Sequence, residues 1–207
     1  MTRELDNKPA SRGRPKGFNV ASALDAALEL FWQKGYECTT VAELCAVMKL
    51  NPPSLYCAFG NKSNLFLTAL KHYENKYWTA PYAKFRDEPR IEKAVNDFFQ
   101  EAAHILLSPA MPCGCMVVVA AVNISPIESA IIDAISGMRR ETRDIFAIKL
   151  QEAVETRQIP QDADIDNLAN ALNSFLEGMS LQARSGMDLP CLLKLSRLAS
   201  RLLPLSR

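Results

Sequence analysis

Histidine is nearly missing from this sequence: His72 and His104 are the only two among 207 residues. Glu101-Ala102-Ala103-His104 has the Glu-x-x-His spacing of carboxylate-bridged di-iron bundles, but such a site needs the motif twice with two further glutamates. Glycine is scarce as well, with eight residues and no Gly-rich run to cradle a phosphate. No serine or cysteine stands beside a histidine in a nucleophile signature. These absences point away from catalysis and imply neither cofactor nor metal; a metal-binding helical enzyme is the remote alternative. No stretch is long and apolar enough to span a bilayer. The sequence opens polar, without an apolar signal-peptide region, so a cytoplasmic location with no membrane partner is expected. In that compartment Cys38, Cys45, Cys57, Cys113, Cys115 and Cys191 are expected as free thiols, and their spacing matches no paired zinc motif.

What is present is ordinary globular composition, 48% apolar and 23% charged, enough to bury a sizeable core. Net charge is +1, so any basic surface is local. It concentrates at the start, where Arg3, Lys8, Arg12, Arg14 and Lys16 face only Glu4 and Asp6. We read residues 1–18 as a flexible basic arm suited to phosphate.

Helical periodicity begins with Val20, Ala23, Leu24, Ala27, Leu28, Phe31 and Trp32, between the cap Asn19 and the stop Gly35. A second helix opens on Thr40 and Glu43, a capping-box pair, with Val41, Leu44, Cys45 and Met48 inward. Asn51 caps a third; two consecutive prolines, Pro52 and Pro53, are tolerated only in such a first turn. Leu55 and Phe59 face its core. Asn61 or Ser63 caps a fourth helix carrying Leu65, Phe66, Ala69, Leu70 and Tyr73. This spacing is that of a helix-turn-helix, which makes duplex DNA the expected partner. Pro81 and Pro89 bracket what reads as a polar linker, so the expected division is a head at 19–80 and a second domain at 81–207. The latter reads as helices over 91–107, 116–122, 127–157, 164–185 and 189–203.

The head resembles the N-terminal domain of TetR-type transcriptional regulators. The resemblance rests on Leu28-Glu29-Leu30-Phe31-Trp32, Lys34-Gly35-Tyr36, Thr39-Thr40-Val41, Ala42-Glu43-Leu44, Ser54-Leu55-Tyr56, Phe59, Lys62 and Leu65-Phe66, in order over about sixty residues. It implies an all-α fold: a three-helix helix-turn-helix head followed by a helical ligand-binding and dimerisation domain. It further implies a regulator, most simply a repressor, that binds a palindromic operator as a homodimer and is released by an unidentified small molecule. At the recognition-helix end, Asn51, Pro52, Pro53 and Ser54 would approach base edges. Tyr56, out of phase with Leu55 and Phe59, would reach phosphate, as would Lys62 by resemblance. Thr40 would offer a hydroxyl and free backbone donors at a helix start. Arg12, Arg14 and Lys16 would follow the backbone or the adjacent minor groove. Where many relatives carry glycine or a polar residue, Pro52-Pro53 leaves fewer hydrogen-bonding groups, which shifts specificity toward DNA shape. A protein-binding adaptor on the same fold is a further alternative, opposed by the arm and by Lys62.

For the second domain the resemblance implies a dimer face on the last two helices, with Leu168, Leu172, Phe175, Leu176, Leu195, Leu198 and Leu202, although intramolecular core is an equal use of those leucines. Candidate effector contacts are Phe98, Met116, Phe146, Phe175 and Met179. Cys113-Gly114-Cys115 falls after a proline at the expected start of the 116–122 helix. A thiol at a helix N-terminus ionises more easily, so Cys113 and Cys115 are candidates for redox or electrophile sensing, the alternative to small-molecule release.

Overall fold

The computed structural model describes residues 19–119 and 124–205. The basic arm, with Arg12, Arg14 and Lys16, lies outside the described residues, as do 120–122 of the apolar run after Cys115. Every regular element among the described residues is helical.

Local chemistry sets the helix starts in the head. Helix α1 (Val20–Lys34) begins where Asn19 accepts from the Ser22 N–H at 3.2 Å, and ends at Gly35 in a left-handed conformation, φ 78°. Helix α2 (Val41–Met48) carries the full Thr40/Glu43 capping box. Helix α3 (Pro52–Phe59) is capped by Asn51 on the Ser54 N–H at 2.8 Å, with both prolines in the first turn. Helix α4 (Lys62–Tyr77) is capped by Asn61, not Ser63, on the Asn64 N–H at 2.7 Å. Leu28, Phe31, Leu44, Leu55, Leu65 and Phe66 are fully buried where these four helices meet. Each such side chain contributes about 1.5–3 kcal/mol of burial. Asp25 accepts from His72 at 2.8 Å and from Lys76 at 2.7 Å, which ties α1 to α4 at the surface.

The expected polar linker is instead a helix, α5 (Thr79–Asp87), following α4 with only Trp78 between them. Pro81 sits in its first turn, where its missing N–H costs little. Tyr82 and Phe85, three apart, bury one face against Phe98 and Phe146. Helix α6 (Ile91–Leu106) buries eight residues. The short α7 (Met116–Val119) leads to α8 (Ser129–Glu155), about 40 Å long at 1.5 Å per residue. Helix α9 (Ile165–Arg184), capped by Asp164, packs along α8. The last expected helix breaks after Ser196: α10 (Leu189–Ser196) is followed by a 3-10 turn at Ala199–Leu202. One apolar core runs from Ala23 to Leu203 without interruption, so the head is seated on the second domain rather than strung from it.

Candidate nucleic-acid interface and effector cleft

Pro52 and Pro53 are exposed on the first turn of α3, Ser54 is half-exposed, and Tyr56 is 47% exposed, about a quarter-turn round the helix from the buried Leu55. The Asn51 side chain is engaged in capping, while the Ser54 hydroxyl has no protein partner among the described residues. Thr40 differs from expectation. Its N–H and its hydroxyl both donate to Glu43 Oε2 at 2.9 Å, and the hydroxyl also accepts from the Glu43 N–H at 3.2 Å. The capping box therefore consumes the donors that Thr40 was expected to offer. The N–H groups left unpaired by helix geometry are those of Val41 and Ala42. Lys34 also donates to Glu43 and, with the two Thr40 bonds, holds its carboxyl down at about 2.

Lys62, the first residue of α4, is half-buried, with its ammonium 4.1 Å from the centroid of the Tyr36 ring. The Tyr36 hydroxyl lies 2.9 Å from that of Ser63 and donates to Glu128 at 2.7 Å. Burial, followed by the carboxylates Glu128 and Glu37, pushes Tyr36 up to about 12. The sequence marked Tyr36 only as part of the family resemblance and Glu128 not at all, and 92 residues separate them.

A cleft opens behind α4. Its walls include Tyr73, Glu74, Trp78, Tyr82, Cys115 and Val118, with Met138, Arg139 and Thr142 from α8 and Asn173, Leu176 and Glu177 from α9. None of the five expected effector contacts lines it. Phe98, Met116, Phe146 and Met179 are buried core, and Phe175 packs edge-on against Phe99 at 5.4 Å. Phe98 stacks on Tyr82 at 5.6 Å, so it packs against the back of the cleft wall rather than forming its surface. The cleft volume is about 40 Å³, far below that of a pocket for a drug-sized molecule. Burial, reinforced by the charge of Glu141, raises the Glu74 carboxyl. The Arg139 Nε is buried without a hydrogen bond, 3.5 Å from Glu177.

The surroundings of Cys115 do not favour an easily ionised thiol. Cys115 does precede a helix, but one of four residues, and it points into the cleft wall. Burial pushes its thiol up, outweighing hydrogen bonds from Tyr73 and the α7 backbone. Cys113 is half-exposed on the preceding turn. The turn itself is anchored: the Trp32 indole N–H donates to the Gly114 carbonyl at 3.0 Å, and the Cys115 N–H to the Ser180 hydroxyl at 2.7 Å. Glu101 of the Glu-x-x-His motif accepts from Lys84 at 2.7 Å, and His104 is exposed.

The expected dimer leucines divide in two. Leu172 and Leu176 turn into the chain's own core, and Leu168, Phe175 and Leu195 are half-buried. Leu198 and Leu202 remain exposed, alongside Leu181 and Leu205, which the sequence reading had not singled out.

Residues 23–69 match the family described as bacterial regulatory proteins, tetR family, and residues 91–189 match the tetracyclin repressor-like C-terminal domain. The chain is 35% identical over 198 residues to the HTH-type transcriptional repressor ComR of Escherichia coli (strain K12), spanning 94% of this chain and 93% of that protein. It is 30% identical over 181 residues to the HTH-type transcriptional repressor BdcR of the same strain, spanning 84% and 83%. Among solved structures, a cysteine mutant of the TetR family transcriptional regulator CifR complexed with 26bp double-strand operator DNA superposes with a TM-score of 0.88. The two share 32% identity, and the match covers 93% of this chain and 100% of that one.

Proposed function

The chain belongs to the TetR family of bacterial transcriptional regulators, and on that premise we propose that it is a repressor: a homodimer that grips duplex operator DNA and lets go when a small molecule enters the cleft behind α4. It is a regulator rather than an enzyme, as its relatives are. The observation that carries the DNA reading is the free N-terminal turn of α3. Pro52 and Pro53 are exposed and Ser54 half-exposed, with the exposed Tyr56 behind them. The prolines offer apolar contact to thymine methyls, and the unclaimed Ser54 hydroxyl can bond a base edge or a phosphate. Lys62, and the arm residues Arg12, Arg14 and Lys16, supply sequence-independent phosphate contact. Leu198 and Leu202, exposed on the closing helical segments, support a two-fold interface that sets the two heads about one helical turn apart.

The size of the cleft supports release by opening. A drug-sized molecule does not fit in about 40 Å³. An effector therefore binds a conformation in which α4 has moved from α8 and α9, and α4 begins with Lys62. Differential affinity of that kind is what shifts an equilibrium; a hundredfold loss of DNA affinity requires about 2.7 kcal/mol of it. The walls suit a compact amphiphile, with aromatic faces from Tyr73, Trp78 and Tyr82 and polar groups at Arg139, Thr142 and Asn173. Sensing through Cys113 or Cys115 is the weaker reading, because burial keeps the Cys115 thiol protonated.

The test is fluorescence anisotropy of reduced protein on labelled duplex from immediately upstream of its own gene, at physiological salt. Saturation below about 10⁻⁸ M that unlabelled mixed-sequence DNA does not compete away supports local repression. Binding erased equally by mixed-sequence DNA counts against it.

A further inference from the structure

One carboxylate joins the head to the start of α8, the helix that further along supplies Met138, Arg139 and Thr142 to the cleft. Glu128 Oε1 accepts from the Tyr36 hydroxyl at 2.7 Å, and Oε2 accepts from the Ser63 hydroxyl at 2.8 Å; the two hydroxyls lie 2.9 Å apart. Tyr36 follows α1, Ser63 is the second residue of α4, and Glu128 immediately precedes α8. The Tyr36 ring is fixed on its other side by Phe66, edge-on at 5.1 Å, and is 4% exposed. On that ring sits the Lys62 ammonium, 4.1 Å from the centroid. Bonds from Tyr36 and Ser63, with the charge of Lys62 nearby, hold the Glu128 carboxyl below the ordinary range, so it is ionised at any working pH. A second bond runs in parallel, from the Ser125 N–H to Glu37 at 2.7 Å.

We propose that Glu128 is a positioning residue for DNA binding: by holding Tyr36 and Ser63 it fixes the seat of Lys62, and because it leads into α8 it carries movement of the cleft wall to that lysine. The proposal rests on the reading of Lys62 as a phosphate contact. Its sign is unusual. An acid beside a phosphate-binding lysine opposes DNA by Coulomb repulsion, so on charge alone its removal tightens binding. Positioning predicts the reverse, because a lysine without its seat pays more entropy to reach phosphate.

The experiment titrates a labelled mixed-sequence duplex with the full chain at several salt concentrations. Four proteins are compared: the parent, Lys62→Ala, Glu128→Ala and the double variant. Losing one phosphate contact lowers the salt slope by about 0.9, which at ~0.1 M salt is roughly eightfold in affinity. Glu128→Ala is expected to weaken binding by up to that factor and flatten the slope, with no further loss in the Lys62→Ala background. Glu128→Gln, which keeps an acceptor oxygen without the charge, is expected to recover part of the loss; it also serves as the folded comparison if circular dichroism shows Glu128→Ala unfolded. Binding by Glu128→Ala and Glu128→Gln that matches or exceeds the parent overturns the proposal, as does an equal loss with and without Lys62. A parental slope in Lys62→Ala itself removes the premise instead, and that single variant tells the two failures apart.

Discussion

Gly114→Ala tests whether the turn between α6 and α7 is the fixed joint that the geometry describes. Gly114 has φ +85°, donates its N–H to the Leu106 carbonyl at 2.8 Å, and accepts from the Trp32 indole at 3.0 Å. A Cβ added there would lie 2.9 Å from the Ser180 carbonyl oxygen and 3.1 Å from Val119 Cγ1. The first contact is to the backbone of α9, which cannot swing aside as a side-chain tip can. The left-handed conformation alone costs an alanine about 1–2 kcal/mol. Shifting the turn to relieve the contact weakens one of its two hydrogen bonds, about another 1–1.5 kcal/mol. The sum, about 2–3.5 kcal/mol, lowers the melting temperature of a chain this size by roughly 4–14 °C. Gly186→Ala is the control, since it shares the strain at φ +96° but meets nothing within 4 Å. Differential scanning calorimetry at one fixed protein concentration reads both, because a dimer's midpoint shifts with concentration. Equal losses in the two variants, or a Gly114→Ala midpoint within about 2 °C of the parent, would refute the close approach to α9.

Three further outcomes follow from the same geometry. Paired Leu198→Glu and Leu202→Glu substitutions place charges on the exposed leucine face; sedimentation should show monomers and DNA affinity should fall at least tenfold, whereas a parental dimer would exclude this face. The folded Glu43 carboxyl lies at about 2 against an ordinary value of 4.5, a depressed pKa. Its contribution is present above pH 4.5 and is lost as pH falls toward 2, so Glu43→Gln should flatten acid destabilisation of the head across that window; an unchanged acid limb would show that the capping box carries no linkage. With a disulfide reagent at neutral pH, the exposed Cys38 and Cys57 should react ahead of Cys115, whose thiol is pushed up; a Cys115 thiol lost before them would reverse that reading.

Much of the head was legible because its signals are local. Asn19, the Thr40/Glu43 box and Asn51 each act on a backbone group within three residues, so spacing alone locates the helix starts. The same locality misled at Pro81 and Pro89, where two prolines read as a linker although Tyr82 and Phe85 had a core to enter. Thr40 shows the limit more finely: the signature that located α2 was also the reason its donors are unavailable. Cleft-lining residues were not legible, since Glu74, Arg139 and Glu177 belong to three helices and read as solvated charges on each. The expectation fell on Phe98, Met116, Phe146, Phe175 and Met179, whereas the aromatics that line the cleft are Tyr73, Trp78 and Tyr82. The Glu128 contacts with Tyr36 and Ser63 span 92 and 65 residues, a separation over which no periodicity carries information.

If the proposed function holds, this chain reads DNA sequence as a two-fold dimer through the first turn of α3. Selection from a random duplex library by the reduced full chain, sequenced after successive rounds, tests it without assuming an operator. The expected outcome is enrichment of a palindrome whose half-sites lie about one helical turn apart, roughly 10–10.5 base pairs between centres, with Ser54→Ala altering preference at one position of each half-site. Retention of duplexes without any enriched sequence would contradict it and leave a protein that binds phosphate but does not read bases.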